Sequence, residues 1–263
     1  MGGNELTSSD YWDEIWAKRK VRSRSRYHFF FGKNGIFLRT MRRHYPDIVG
    51  KRVLEIGGAG SEFLLALAKW CDIDATAIDY SAVGLRKTQE IFNMNNCNVH
   101  IILDDFLTRD EDEANFDVVV HWGVLEHFND PKIVLKKCQQ LLSPGGTVIF
   151  SMPNMGAYGA RFWKKWAPLN WSKHIYHPDS VIEEACKSAG LELKSRFYWG
   201  VPMFRATKWE KNGLSQLIVT GLQVVCNVLG MLLPIYDHGS AKWAMQRGFL
   251  AKNEVSVKDV PLL

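Results

Sequence analysis

Arg52-Val53-Leu54-Glu55-Ile56-Gly57-Gly58-Ala59-Gly60-Ser61 is the stretch that decides the fold. Its first half is apolar enough for a buried strand. Its second half is a glycine-rich turn, and residues 62–70 continue as a helix. Such a turn lets backbone approach a ligand closely, and the helix N-terminus adds N–H donors beside it. Outward from this unit the pattern repeats. Residues 75–79 read as a strand, 82–93 as a helix, and 99–103 as a strand ending at Asp104-Asp105. Residues 116–121 form the next strand. The helix at 132–142 stops at Ser143-Pro144-Gly145-Gly146, and a strand follows at 147–151. A helix at 179–189 ends at Gly190, and strands follow at 191–199 and 247–252. The alternation predicts an α/β fold, a doubly wound, mostly parallel seven-stranded sheet with helices on both faces.

The flanks are less regular. Asp10 caps a helix carrying Tyr11, Trp12, Ile15 and Trp16 on one face, and a basic run from Lys18 to Arg26 leads to Tyr27-His28-Phe29-Phe30-Phe31. Residues 1–45 are expected to form an N-terminal helical cap on a domain spanning 46–263. The basic run reads either as a solvated face followed by a core anchor, or as a lid or anionic-surface contact. Two inserts interrupt the domain. Residues 154–178 are rich in aromatics and lysine, and residues 213–240 hold a charge-free apolar stretch long enough to span a bilayer. If 247–252 completes the sheet, a spanning helix is excluded by topology. A cap over the site, a homodimer surface or an in-plane membrane contact then remain.

Bulk properties narrow the function classes. The chain has 263 residues, 46% of them hydrophobic and 12% aromatic, so it can bury a sizeable core. A net charge of +5 is weaker than the basic bias of a nucleic-acid binder, and no nucleic-acid partner is expected. Cys71, Cys97, Cys138, Cys186 and Cys226 are scattered, with no metal or redox pairing, and read as buried thiols in a reducing compartment. Residues 1–10 lack an apolar signal core, so a cytoplasmic location, with possible peripheral membrane contact, is expected.

The glycine turn and an acid at the end of the second strand, Asp79, suit a ribose-bearing cofactor of several kinds. The later residues discriminate. Glu55-Ile56-Gly57-Gly58-Ala59-Gly60-Ser61, Asp79, Asp105 with Phe106, the segment 116–120 with Val124-Leu125-Glu126-His127, and Leu142-Ser143-Pro144-Gly145-Gly146 together resemble the ordered motifs of the class I methyltransferases, over roughly residues 50–200. The resemblance implies S-adenosylmethionine as cofactor. It places Glu55, Gly57, Gly58, Ala59, Asp79, Tyr80, Asp105 (with Asp104 as alternative), Phe106, His121 and Trp122 on the cofactor. Ala59 and Ser61 depart from the commonest pattern, which has glycine there, and a methyl at Ala59 could crowd the cofactor. A dehydrogenase would need a second substrate domain, for which the chain after residue 150 is short.

Methyl transfer from a sulfonium is an in-line displacement needing alignment, a dry pocket and sometimes a base. His127 is the candidate base, with Glu126 as its orienter or a substrate contact; the alternative is a structural helix-start pair. No metal site is read. The strand-four end His121-Trp122-Gly123-Val124 lacks the box of the DNA-adenine and protein-glutamine enzymes. Residues 153–180 loosely resemble the ubiquinone-biosynthesis O-methyltransferases, whose insert is associated with lipid contact. This places Asn154, Tyr158, Trp163 and His174 on the substrate side. Tryptophans and lysines at 158–173 also suit a membrane interface, as does 214–235. The expected function is transfer of a methyl group to a small, hydrophobic or lipid-like acceptor, O-methylation being slightly preferred. The alternatives are an N- or C-methyltransferase of a polar natural product or sugar, and a catalytically silent partner protein.

Overall fold

Strand β1, Arg52–Ile56, runs parallel to β2, Asp74–Asp79, on one side and to β4, Phe116–Trp122, on the other. In this computed structural model, which describes residues 7–21, 32–109, 115–202, 214–232 and 239–254, the sheet order is β3-β2-β1-β4-β5-β7-β6. Here β3 is His100–Leu103, β5 Leu142–Pro153, β6 Leu191–Pro202 and β7 Ala244–Asn253. Strand β7 is antiparallel to both β5 and β6 and lies between them. The expected last strand is therefore real, and the sheet is mostly parallel as read.

Helices α3, Glu62–Cys71, and α4, Ala82–Met94, cover one face of the sheet. Helices α5, Pro131–Gln140, and α8, Asp179–Ser188, cover the other. Alternate strand residues serve opposite layers: Val53, Val118 and Val120 join the first core, and Leu54, Val119 and Val148 the second. Caps fix the helix starts. Ser61, Ser81 and Asp130 each accept a backbone N–H of the first turn, an interaction worth about 1 kcal/mol.

Two expectations change. Helix α2, Gly32–His44, does not belong to a separate cap. Ile36, Phe37 and Met41 are buried in the first core, with Phe37 stacked on Phe63 at 4.4 Å and edge-on to Trp122 at 4.8 Å. Only α1, Ser9–Ala17, lies on the outside, with no fully buried residue. The aromatic insert forms α6, Ala160–Trp166, and α7, Pro168–Trp171. Its Trp163 and Trp166 turn inward and are buried, so they are not available to a membrane interface. The expected basic run beyond Val21 and the aromatic run 27–31 lie outside the described residues.

Helix α9, Leu214–Leu232, packs on α2 and β6. Gln223 donates to the Pro202 carbonyl and to Asn227 Oδ1, while Leu217, Ile218, Leu222 and Val225 are exposed. Among the described residues no helix is long and apolar enough to cross a membrane. Among the described residues no cysteine is in a disulfide; Cys71, Cys138 and Cys186 are buried.

Candidate active site

The sheet order reverses direction between β1 and β4, and the C-terminal ends of β1, β2 and β4 open there onto one cavity of about 330 Å³. Such a switch point is where open α/β sheets take ligands. Glu55, Gly57 and Ala59 from the β1 turn, Asp79 and Tyr80 from β2, Asp104 and Phe106 after β3, and Trp122 after β4 line it.

The turn after β1 is stiffened from within. Gly57 and Gly58 both donate to the Ile78 carbonyl, and Ala59 N–H donates to Asp79 Oδ2 at 3.1 Å. Gly60 N–H donates to Thr88 Oγ1, whose own hydroxyl donates to the Gly58 carbonyl, both at 2.7 Å. The N–H groups of residues 57–60 are thus used inside the protein. Gly57 and Gly60 have φ of +71° and +57°, which favour glycine. Ala59 has no such need. A side chain added at Gly84 of α4 would meet the Ala59 methyl at 2.3 Å, so that methyl is seated against α4. The departure at Ala59 is accommodated there rather than at the expense of the cofactor space.

Ser61 likewise replaces glycine to effect. Its hydroxyl donates to Glu55 Oε2 at 2.6 Å and accepts from Leu64 N–H at the start of α3. Burial raises the Glu55 carboxyl to about 8, the Ser61 bond opposing and nearby Asp79 adding to the shift. Asp79 also accepts Ser81 N–H on Oδ1 at 2.8 Å, so it orders both turns that frame the cavity.

Some expected cofactor residues lie elsewhere. Gly58 is turned to β2, where a side chain would meet Ala77 at 2.7 Å. Asp105 accepts Leu107 N–H and does not border the cavity; its alternative, Asp104, does. His121 is fully buried in the sheet, stacked on Phe150 at 5.1 Å, and burial lowers its pKa to about 3. It is a core histidine, because alternation along β4 turns it away from the opening that Trp122 reaches.

The roof of the cavity comes from the N-terminal segment expected as a cap, whose residues the sequence does not place at the site. Trp12 and Trp16 of α1 line the cavity together with Arg19, Lys33, Phe63, Val124 and Phe128. Trp16 lies so close over the turn that a side chain at Gly60 would meet its ring at 2.2 Å. Helix α1 is held by a short Asp13–Ser81 hydrogen bond and by Lys173 Nζ over the Tyr11 ring, 3.4 Å from its centroid. A helix of mixed aromatic and charged residues ahead of the fold left this placement open; only its contacts reveal it.

Beside the cavity, Leu125–His127 forms a 3-10 turn. Gly123 lines the cavity, and a side chain on it would meet Glu126 Oε1 at 3.2 Å, so the carboxylate stands just behind that wall. The Trp12 ring meets His127 edge-on at 5.5 Å. His127 Nδ1 is 2.8 Å from the Lys173 carbonyl and must donate to it, leaving the lone pair on Nε2. Lys173, not Glu126, therefore orients this ring. Glu126 is buried, with Oε2 lacking a hydrogen-bond partner. Burial pushes its carboxyl up to about 8 and His127 down to about 4, nearby His174 adding to the latter shift.

The expected substrate residues divide. His174 lies next to His127, with ring centroids 4.8 Å apart. Trp163 donates from Nε1 to Asn170 Oδ1 at 2.8 Å and packs behind His174. Asn154 is buried and donates to the Ala241 and Ala244 carbonyls, tying β5 to the start of β7. Tyr158 packs on Trp243 at the surface. Neither Asn154 nor Tyr158 borders the cavity.

This sheet order, with a stiff glycine turn and a ribose-suited acid at the switch point, defines the Rossmann-like fold of the class I, S-adenosylmethionine-dependent methyltransferases. Residues 36–195 match the family profile described as a methyltransferase domain, and the chain belongs to that family. The ubiquinone biosynthesis O-methyltransferase of Idiomarina loihiensis is 28% identical over 150 residues, covering 54% of this chain and 61% of the relative. That of Coxiella burnetii is 31% identical over 153 residues, covering 55% and 64%. The chain thus spans less than two thirds of the length of these relatives. Among solved structures, the [4+2]-cyclase SpnF has a TM-score of 0.62 at 13% identity, covering 97% of this chain and 98% of its own. Haemonchus contortus phosphoethanolamine N-methyltransferase 2, solved with S-adenosyl-L-methionine, has a TM-score of 0.57 at 16% identity, covering 83% and 52%. These likenesses are of fold.

Proposed function

We propose that the chain transfers a methyl group from S-adenosylmethionine to the hydroxyl of a small, hydrophobic or lipid-like acceptor. The observation that carries this reading is the Glu126 carboxylate against the Gly123 wall of a cavity whose lining suits the cofactor, with His127 and His174 grouped beside it. The fit is chemical. Asp79 offers carboxylate oxygens to ribose hydroxyls, and Ile78, Phe106, Val124 and Phe128 give adenine an apolar bed. Arg19 and Lys33 at the mouth suit a carboxylate. The rings of Trp12, Trp16 and Trp122 suit a cationic sulfonium and keep water out.

Held by Asp79 and the apolar and aromatic lining, the cofactor would supply an activated methyl group on a sulfonium, open to displacement by the acceptor oxygen. The protein's part is to position the two reactants and to take the acceptor's proton. The Lys173 carbonyl engages His127 Nδ1 and leaves the lone pair on Nε2, which supports His127 as the acceptor of that proton. O-methylation is also the activity for which the ubiquinone-biosynthesis relatives are named.

The lipid-like acceptor is supported by α9, whose apolar residues Leu217, Ile218, Leu222 and Val225 face outward while Gln223 turns to Pro202. That inversion suits an in-plane membrane contact. Isothermal calorimetry with S-adenosylhomocysteine, followed by labelled methyl transfer to hydroxyl-bearing and amine-bearing lipids, tests the activity. Asp79→Ala is expected to weaken cofactor affinity at least tenfold. An unchanged affinity removes the ribose assignment, and absence of binding by the parent leaves the silent-partner reading. On liposome flotation the parent is expected to float and Ile218→Lys/Leu222→Lys to stay down; a parent that fails to float removes the membrane contact.

A further inference from the structure

We infer that Glu126, His127 and His174 form a binding site for one divalent transition-metal ion of the zinc or manganese type, with positions left open for the acceptor's hydroxyl oxygen. The inference rests on the methyl-transfer reading for its purpose and changes one step of it, the way the hydroxyl loses its proton.

Three observations converge. First, these residues offer one donor atom each, all within 4.8 Å of one another. Two ligands each about 2.1 Å from one ion can stand up to about 4.2 Å apart, so side-chain shifts of less than about an ångström close the set. Second, both rings are held as metal-binding histidines are. His127 Nδ1–H donates to the Lys173 carbonyl and His174 Nδ1–H to the Asn170 carbonyl, each at 2.8 Å. A histidine whose far nitrogen is anchored to a carbonyl has its tautomer and ring plane fixed for ligation. Asn170 is anchored in turn by the indole of Trp163. A lone base needs one such ring; here two are prepared side by side. Third, Glu126 Oε2 is buried with no hydrogen-bond partner. An orphan carboxylate oxygen beside two imidazole lone pairs is a concentration of electron pairs that a cation would satisfy. Two imidazoles and one carboxylate favour the borderline first-row divalent ions over calcium or magnesium.

Such an ion would bind the hydroxyl oxygen and acidify it, the proton passing to the Glu126 carboxylate oxygen that does not hold the ion, while the hydroxyl oxygen keeps the electron pair used against the methyl carbon. The His127 and His174 lone pairs are then engaged by the ion, and His127 is a ligand rather than the base.

Cobalt(II) is the probe, because its visible bands report the ligand field without cofactor or acceptor. The full chain, stripped with chelator, is expected to take up one equivalent of Co2+ with visible bands, displaced by Zn2+. His174→Ala and Glu126→Gln are each expected to weaken Co2+ affinity at least tenfold while S-adenosylhomocysteine affinity stays within twofold of the parent. No Co2+ uptake by the parent, or uptake and bands unchanged in both variants, overturns the site. Loss of S-adenosylhomocysteine binding by the parent overturns the methyl-transfer reading instead, so the two failures are told apart.

Discussion

The contact between the Ala59 methyl and Gly84 shows how one residue's departure is absorbed by another. A motif reading locates the glycine turn but treats Ala59 as a flaw, because it has no view of the helix behind it. Gly84→Ala forces two methyls into one place and pushes the turn toward the cofactor space. S-adenosylhomocysteine affinity is expected to fall about tenfold, and calorimetry on a folded variant reads it. Glu55 carries a prediction of different kind. Its carboxyl titrates at about 8 in the folded protein against an ordinary 4.5. The folded state holds a proton that the unfolded chain has released, so this group's stabilisation is full below about pH 4.5 and is lost as pH rises through about 8. Glu55→Gln keeps an acceptor for Ser61 and cannot ionise. Its thermal midpoint relative to the parent should climb between about pH 5 and pH 8; parallel profiles would count against a buried, protonated Glu55. Asp79, Asp104 and the Glu126-His127 pair are legible in the sequence because they sit at strand ends with fixed spacing. His174 reads there as substrate-facing, but its approach to His127 depends on the path of α6 and α7, which no local pattern encodes.

At the scale of elements, periodicity locates the strands and most helices to within a few residues. Partnership is harder. The sequence pattern sets helix α2 outside the fold, yet Phe37 is packed among Phe63, Trp122 and Trp199. The basic residues of α2 mask a narrow apolar face. Trp163 and Trp166 look suited to an interface by composition, but rings of that size also fill a core, and here they do. Helix α1 is the element on which cofactor retention is expected to depend. Trp16→Ala removes the ring lying over Gly60 and opens the cavity from above. Stopped-flow displacement should show S-adenosylhomocysteine leaving at least about five times faster. The thermal midpoint should hardly move, because α1 contributes no fully buried residue. An unchanged dissociation rate would mean that the helix does not roof the bound cofactor.

For the molecule as a whole, the two cores on opposite faces are foreseeable from the alternating strands, whereas the tie between the lid region and the far sheet edge is not. Arg247 makes that tie. Nearly buried on β7, it donates to Asp179 Oδ1 at 2.9 Å and to the His177 carbonyl, and lies 4.9 Å from the Tyr176 ring centroid. Arg247→Ala takes the guanidinium donor from the buried His177 carbonyl and leaves Asp179 with Arg196 alone, at a cost of about 2 kcal/mol. For a chain of this size that corresponds to a thermal midpoint roughly 4–8 °C lower, readable by calorimetry; an unchanged midpoint would show that solvent substitutes for the guanidinium. Strand β7 has one more consequence. Among the described residues it is the only strand hydrogen-bonded to β6, and it stands between β6 and β5. During synthesis β6 emerges well before the segment it must pair with, and β5 waits with an open edge over the same interval. The growing chain therefore carries an unclosed sheet until β7 slides in as a wedge. Assembly of this half of the molecule waits on the latest-made of the described strands, and a nascent chain stalled before Ala244 is expected to be a substrate for chaperones rather than a smaller folded protein.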